Sequence, residues 1–423
     1  MSADVHPCLD AASSEPLHPA AREVFSAAIE SGYADPRRLH HDGRRARLLL
    51  DNARQSVAES LSVRPDEVTF TTSGTEAVHR GLLGLHRGRA ARRHAPADPA
   101  AQPSTAPPST AGPPTVLPSA VEHSAVLHAV DWLRDASGGV APPTQSAQSI
   151  PVTGTGLVTA EAVREAFGTL SAPPTVVAVQ HANHEVGTVQ PIAEIAEALE
   201  SLAHQDPAAG QGAPYGPVPL FVDACAGAGR LPLPTGWAAL AASAHKWGGP
   251  AGVGLLLVRK GARWRNPFPV DDRVDPRTSG FENVPAILAA AAALGAMVAE
   301  RDELAARQAA LVDRIRHQVA RLPDVEVVGE PVRRLPHLVT FSCLYVDGEA
   351  LVGELDRRGL GVASGSACAA STLQPSHVLA AMGSLSHGNV RLSLGRETGA
   401  DTVEAFLAAL PEVLAELRGR VGM

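Results

Sequence analysis

Lys246 stands in Ala241-Ala242-Ser243-Ala244-His245-Lys246-Trp247-Gly248-Gly249-Pro250, after a short apolar run and before a Gly/Pro turn. Glycine and proline punctuate both helices and strands, so regular structure does not account for a lysine at that point. An amine at a strand end, with the Ser243 hydroxyl and the His245 imidazole just before it, suits a Schiff base with an aldehyde cofactor. Pyridoxal 5'-phosphate is such a cofactor, and the neighbouring donors would hold its phosphate. A solvated surface lysine is the plainer reading of the same residues.

Other stretches offer matching chemistry. Glu67 to Thr71 reads as a strand that runs into Thr72-Ser73-Gly74-Thr75-Glu76 and then a helix through Leu85. Such a turn aims unpaired amides and a positive dipole end at a phosphate, although Ser73 or Thr75 could equally be an ordinary N-cap. His123 follows the strand Val116-Leu117-Pro118 and precedes a helix. Its imidazole could stack on a flat ring and move protons near neutral pH, or serve only as a cap. Asp223 ends the strand Pro217 to Val222, where a carboxylate facing a pyridinium nitrogen would keep that ring protonated and electron-withdrawing. Cys368 lies on the Gly/Ser/Ala loop Ala363-Ser364-Gly365-Ser366-Ala367-Cys368. That setting offers a nucleophilic thiolate access, or simply accommodates a small residue, whereas Cys343 on an apolar strand reads as structural.

The elements that must position these groups alternate. Strands followed by helices, with polar residues gathered at the strands' carboxyl ends, describe an open, mostly parallel sheet with its ligand crevice along that edge. Helical spacing covers 16–31 and 42–61, and a long Ala-rich helix over 285–321 joins two domains. We expect a large domain over 16–284 and a smaller α/β domain over 285–423, with segment 1–15 packing near the latter. Two low-complexity tracts, about 88–115 and 205–217, read as flexible insertions because they lack large apolar residues. The basic cluster from Asp35 to His41, continued by Arg44, Arg45 and Arg47, reads as a solvated loop and helix face in preference to an anion or RNA contact.

Composition excludes several classes. The 423 residues carry a net charge of −8, which gives no global basic field for nucleic acid. Four cysteines without metal-ligand spacing are too few for a disulfide framework, so a reducing cytoplasm is expected. The N-terminus lacks the basic and apolar regions of a signal peptide. The apolar stretch Val284 to Ala299 is shorter than the ~20 residues of a membrane span, and no membrane association is expected.

Together these stretches resemble the cysteine desulfurases of the class V aminotransferase superfamily, specifically the long-loop subgroup that includes the iron-sulfur and nitrogenase-type enzymes. The most specific motifs are Ser364-Gly365-Ser366-Ala367-Cys368, Gln374-Pro375-Ser376-His377-Val378-Leu379 and Val390-Arg391-Leu392-Ser393-Leu394-Gly395-Arg396, beside Ser243-Ala244-His245-Lys246. The resemblance implies an α/β fold, that of the fold type I pyridoxal-phosphate transferases. Its large domain holds a mostly parallel, seven-stranded-type sheet flanked by helices, and a smaller α/β domain follows. It implies that Lys246 is the Schiff-base lysine, His123 the ring-stacking imidazole, Asp223 the pyridinium partner and Cys368 the nucleophile. Gly74, Thr75, Ser243 and His245 match the phosphate site, His184 a further cofactor position, and Arg391 with Asn183 the substrate-binding positions.

The implied reaction takes L-cysteine to L-alanine and leaves a persulfide on Cys368, for delivery by the loop to an acceptor protein, as in iron-sulfur cluster assembly. The implied assembly is a homodimer. Three positions depart from the family: His184 stands for an asparagine, Ala226 for a glutamine, and Phe281 for a threonine that reaches the partner's phosphate. A tail used by some members to dock an iron-sulfur scaffold is not recognisable before Met423. An aminotransferase or a lyase on the same fold is the main alternative, and a non-catalytic sulfur-relay subunit is the second.

Overall fold

The computed structural model describes residues 8–93, 115–136, 148–205, 216–271, 273–364, 375–420 and 422. Helices α1 (Pro19–Glu30) and α2 (His41–Leu61) come first, capped by His18 and His40. Then follow β1 (Val68–Thr71), α3 (Gly74–Arg93), β2 (Val116–Pro118), α4 (Ser124–Ala136), α5 (Ala160–Gly168) and β3 (Val176–Ala178). Next come α6 (Ile192–Gln205), β4 (Leu220–Asp223), β5 (Ala239–Ser243), β6 (Gly254–Val258) and the 36-residue α7 (Val284–Val319). The chain ends with β7 (Val325–Val328), β8 (Leu338–Cys343), α8 (Gly348–Arg357), α9 (His377–Met382), β9 (Asn389–Ser393) and α10 (Ala400–Arg420).

The large sheet has the order β1-β6-β5-β4-β3-β2. Strands β2 to β5 are parallel, and β6 runs antiparallel to both β5 and β1. Every residue of β4 and β5 is buried, because helices cover both faces; this is why these strands read as unbroken apolar runs rather than as alternation. Against the seven strands implied by resemblance, the described residues give six, with the seventh position held by one parallel bridge between Ser119 and Ile150. Ile150 exchanges 2.9 Å hydrogen bonds with Pro118 and Ala120, and Pro151, lacking an N–H, stops the pairing there.

The tract expected to loosen at residue 88 is still helical as far as Arg93. Arg89 donates to the carbonyls of Pro217 (2.8 Å) and Gly216 (3.2 Å), so a contact 128 residues away holds this turn in place. The remainders of the two expected insertions lie outside the described residues. In the basic cluster, Asp35 pairs with Arg37 and Arg38, and Arg47 with Asp51, as on a solvated face.

Helix α7 is shared by two cores. Its first half, through Ala286, Ala289, Ala290, Ala293 and Leu294, packs into the large core and against α1 and α2. Val312, Ile315 and Val319 pack into a second core with Phe341 and Phe406. The helix is long and apolar enough to cross a membrane, yet 56% of its most apolar window is buried within the protein. The second core lies on the antiparallel sheet β7-β8-β9. Segment 8–15 packs along that sheet: the Leu9 amide donates to Gly361, and Ser393 donates to the Leu9 carbonyl, each at 2.7 Å.

Gly84 on α3 lies against Trp264, where a Cβ would stand 1.9 Å from the indole Nε1, which itself donates to the Arg80 carbonyl at 2.8 Å. On an open helix, Gly→Ala stabilises by about 1 kcal/mol. Here the clash reverses the sign, and Gly84→Ala is expected to destabilise by about 1–3 kcal/mol. Urea unfolding checks this, and an unchanged or raised midpoint would contradict the packing of α3 on Trp264.

Candidate active site

Four parallel strands deliver their carboxyl ends to one place, and the first turn of α3 completes the ring around a pocket of about 180 Å³. The turn before α3 is held by its own side chains. Ser73 Oγ accepts the Glu76 amide at 3.0 Å, and the Glu76 carboxylate accepts the amide and hydroxyl of Thr72 at 2.7 Å each. First-turn amides have no partner within the helix, so the turn is suited to an anion. Glycine is required at position 74, since a Cβ there would lie 2.7 Å from Ser243 Cβ and 3.0 Å from Cys225 Sγ. Against this turn, Ser243 Oγ and His245 Nδ1 are 3.0 Å apart. Burial, reinforced by the charge of Lys246, pulls the His245 pKa down to about 4, so its ring is neutral near pH 7.

The loops after β2, β3 and β4 supply the middle of the pocket. His123 Nδ1 accepts the Ala125 amide at 3.1 Å, and its ring meets that of His184 edge-on, with centroids 5.0 Å apart. Burial holds His123 below its usual range, an effect that Asp223 opposes. Burial, with His123 and Arg391 adding to it, holds His184 far lower. Asp223 Oδ1 accepts the Cys225 amide at 2.9 Å, and burial together with Asp223 keeps the Cys225 thiol protonated. Behind His123, the fully buried Glu122 accepts the Gln180 amide at 2.9 Å and the Ser119 hydroxyl.

Two cations stand on the opposite side. Lys246 Nζ donates to the carbonyls of Ala12 and, at 3.1 Å, Ser13. Arg391, on β9 and only 2% exposed, donates through Nη1 to the His184 carbonyl at 3.0 Å. Its Nη2 donates to Asp10 and to Ser13 Oγ, each at 2.7 Å.

Of the residues singled out from sequence, Gly74, Thr75, His123, His184, Asp223, Ser243, His245, Lys246 and Arg391 all line this pocket. Asn183 does not. Its side chain is buried in the turn beneath, with Oδ1 accepting the amides of Glu185 and Val186 at 2.8 Å and Nδ2 donating to Val121. Phe281 lies outside the pocket, 53% exposed, with its ring 6.5 Å from that of Tyr33. Cys368 falls outside the described residues. The structure adds Ser13, Gln180 and Cys225 to the lining, and Ala226 borders it. The closeness of Asp10 and Ser13 to Arg391 had no signal in sequence, because 381 and 378 positions separate them.

The donor set suits a flat, phosphorylated ring bearing an aldehyde. It offers a backbone cradle that a Cβ would fill at Gly74, hydroxyl and imidazole donors, an imidazole for a ring face, a carboxylate at the floor and an amine within reach.

The family model described as aminotransferase class-V matches residues 110–406. The chain is 33% identical to the IscS-like cysteine desulfurase of Mycobacterium tuberculosis, covering 97% of this chain and 96% of that protein. It is 31% identical to cysteine desulfurase IscS 1 of Archaeoglobus fulgidus, over 97% and 98%. A NifS-like protein of known structure superposes with a TM-score of 0.79 at 24% identity, covering 97% of this chain and all of that one, and so shares the fold. DndA from Streptomyces lividans does so at 0.68 and 26%, over 92% and 99%.

Burial pushes the Glu122 carboxyl up to about 8 from an ordinary 4.5. The folded state therefore holds this proton more tightly than the unfolded chain, and the associated stability is complete below about pH 4.5 and lost as pH rises through about 8. Glu122→Gln keeps the acceptor oxygen but cannot titrate. Relative to wild type it should gain stability between about pH 5 and about pH 8.5, by at most ~1.4 kcal/mol per pH unit. Parallel pH slopes in denaturant unfolding would contradict this.

Proposed function

We propose, from the premise that this chain belongs to the aminotransferase class-V family and stands within it among the cysteine desulfurases, that it converts L-cysteine to L-alanine with pyridoxal 5'-phosphate in the Lys246 pocket and passes the sulfur on as a persulfide of Cys368. The observation that carries this reading is the meeting of Lys246, His123, Asp223 and the buried Arg391 around one cavity. When bound, the cofactor supplies a ring that takes up the electron pair released at the substrate's Cα.

The residues divide the rest of the work. The first turn of α3 at Gly74 and Thr75, with Ser243 and His245, receives the phosphate, and a neutral His245 donates without adding charge. Asp223 keeps a proton on the ring nitrogen. The His123 imidazole covers a ring face, and the low dielectric that keeps it neutral strengthens every charge interaction beside it. Lys246 would hold the cofactor by its aldehyde, and its amine is the group placed to move the Cα proton. Arg391 receives the substrate carboxylate, a bidentate task suited to guanidinium; Asp10 and Ser13, which occupy Nη2, keep it oriented and compete with the arriving carboxylate. The Cys368 thiolate then bonds to the substrate sulfur as the Cβ–S bond breaks. Cβ retains that electron pair and takes a proton, which yields alanine.

A homodimer, a cytoplasmic location and a protein sulfur acceptor are part of this proposal. The relatives' names support an IscS-like role in supplying sulfur for iron-sulfur clusters.

The test is an incubation of purified protein with L-cysteine, following the cofactor absorbance, alanine and protein-bound persulfide. Wild type should give both products, and Lys246→Ala should lose the cofactor band. Cys368→Ala should retain that band while alanine formation falls by more than about 10³-fold, the scale on which removal of a covalent nucleophile acts. Undiminished alanine from Cys368→Ala would make the protein a lyase or an aminotransferase instead.

A further inference from the structure

Residues 365–374, with Cys368, lie outside the described residues, and Ser376 and His377, which follow them in the chain, are both fastened to the turns beneath the pocket. Ser376 is 4% exposed. Its Oγ accepts the Leu379 amide at 3.2 Å, capping α9, and donates to Glu185 Oε2 at 2.6 Å. His377 Nε2 donates to the Glu122 carbonyl at 2.9 Å. The other oxygen of Glu185 lies 3.7 Å from His184 Nε2, a buried ring nitrogen with no hydrogen-bond partner among the described residues.

The backbone of Glu185 is fixed independently. Its amide donates to Asn183 Oδ1 at 2.8 Å, and its carbonyl accepts Thr340 Oγ1 of β8 at 2.6 Å. The side chain is therefore not needed to shape the turn, yet a carboxyl group is buried there at a desolvation cost that calls for a partner. The hydrogen-bonding partner is the Ser376 hydroxyl, and beside it stands the His184 imidazole that lines the pocket. Burial pushes the Glu185 carboxyl up to about 7, an effect opposed by the Ser376 hydroxyl and by Arg391, whose Nη1 holds the His184 carbonyl.

Resting on the desulfurase reading above, we propose that Glu185 is a positioning residue that sets the base of the Cys368 segment and the His184 ring together. It accepts from Ser376 on one oxygen, and its other oxygen packs 3.7 Å from His184 Nε2, so the same side chain touches both groups. Glutamine in its place keeps an acceptor for Ser376 and sets an amide N–H group, in place of an oxygen, against His184 Nε2.

The experiment measures single-turnover persulfide formation on Cys368 in the holoenzyme, beside the affinity for L-cysteine and the bound-cofactor absorbance. Glu185→Gln and Ser376→Ala are each expected to slow persulfide formation by about tenfold, with affinity and absorbance within about twofold of wild type. The double variant should be no slower than the slower single one, as expected for two groups sharing one interaction, and Ser376→Thr should restore the rate to within about twofold. Multiplying effects, or equal losses of cofactor binding and persulfide, would overturn the coupling. Ser376→Ala reads it even if Glu185→Gln does not fold. Absence of persulfide from the wild type in the same experiment would sink the desulfurase reading itself, and this inference with it, an outcome distinct from a failed coupling.

Discussion

One buried guanidinium joins three parts of this molecule. Arg391 belongs to β9 of the small sheet, where it pairs with Thr340 in register, and its side chain is almost fully enclosed. A charge taken that far from water is tolerable only if partners offset its burial, and here Nη1 and Nη2 find them. Those partners are the His184 carbonyl of the large sheet's β3 loop, and Asp10 and Ser13 of the N-terminal segment. The small sheet, the large sheet and the first residues of the chain thus meet at one side chain, and the pocket lies where they meet. The carbonyls of Ala12 and Ser13 also receive Lys246, so the same short segment sets both cations.

Around these cations the pocket gathers groups stripped of charge. Burial leaves His245, His184 and His123 unprotonated near neutral pH, holds the proton on Glu122 and keeps Cys225 a thiol. What is left is a cavity whose strong electrostatic features are Lys246, Arg391 and the helix end at Gly74 against Asp223. That distribution suits a ligand with anionic groups at two ends and a basic ring nitrogen in the middle. In water such contacts would be worth little; in a dry site each is worth considerably more.

Much of this was legible in the chain. A lysine between an apolar run and a Gly/Pro turn, an aspartate closing a strand, and a strand-turn-helix with Ser73, Gly74 and Thr75 each state a local conformation, and local conformation follows from nearby residues. The strand and helix assignments rest on the same ground, which is why α7 and the strands of the small sheet were readable within a few residues. Illegible were the features that depend on distant partners. Arg89 extends α3 through what reads as low-complexity sequence, because carbonyls of Gly216 and Pro217 receive its guanidinium. Asn183 looks like a pocket residue by motif, but its amide closes the turn at Glu185 and Val186.

The sequence by itself determined the order of the elements, the strand ends at which Lys246, Asp223 and His123 stand, and the motifs that mark the family. All of these are encoded in residues a few positions apart. Only the tertiary structure decided which groups share a cavity, that Asp10 and Ser13 close on Arg391, and that Ser376 lands on Glu185. These contacts bridge 191 to 381 positions of chain. No local preference specifies them: they exist because burying the apolar faces of the two sheets and of α7 brings the polar strand ends together, and a buried charge then takes its partners wherever the fold has put them.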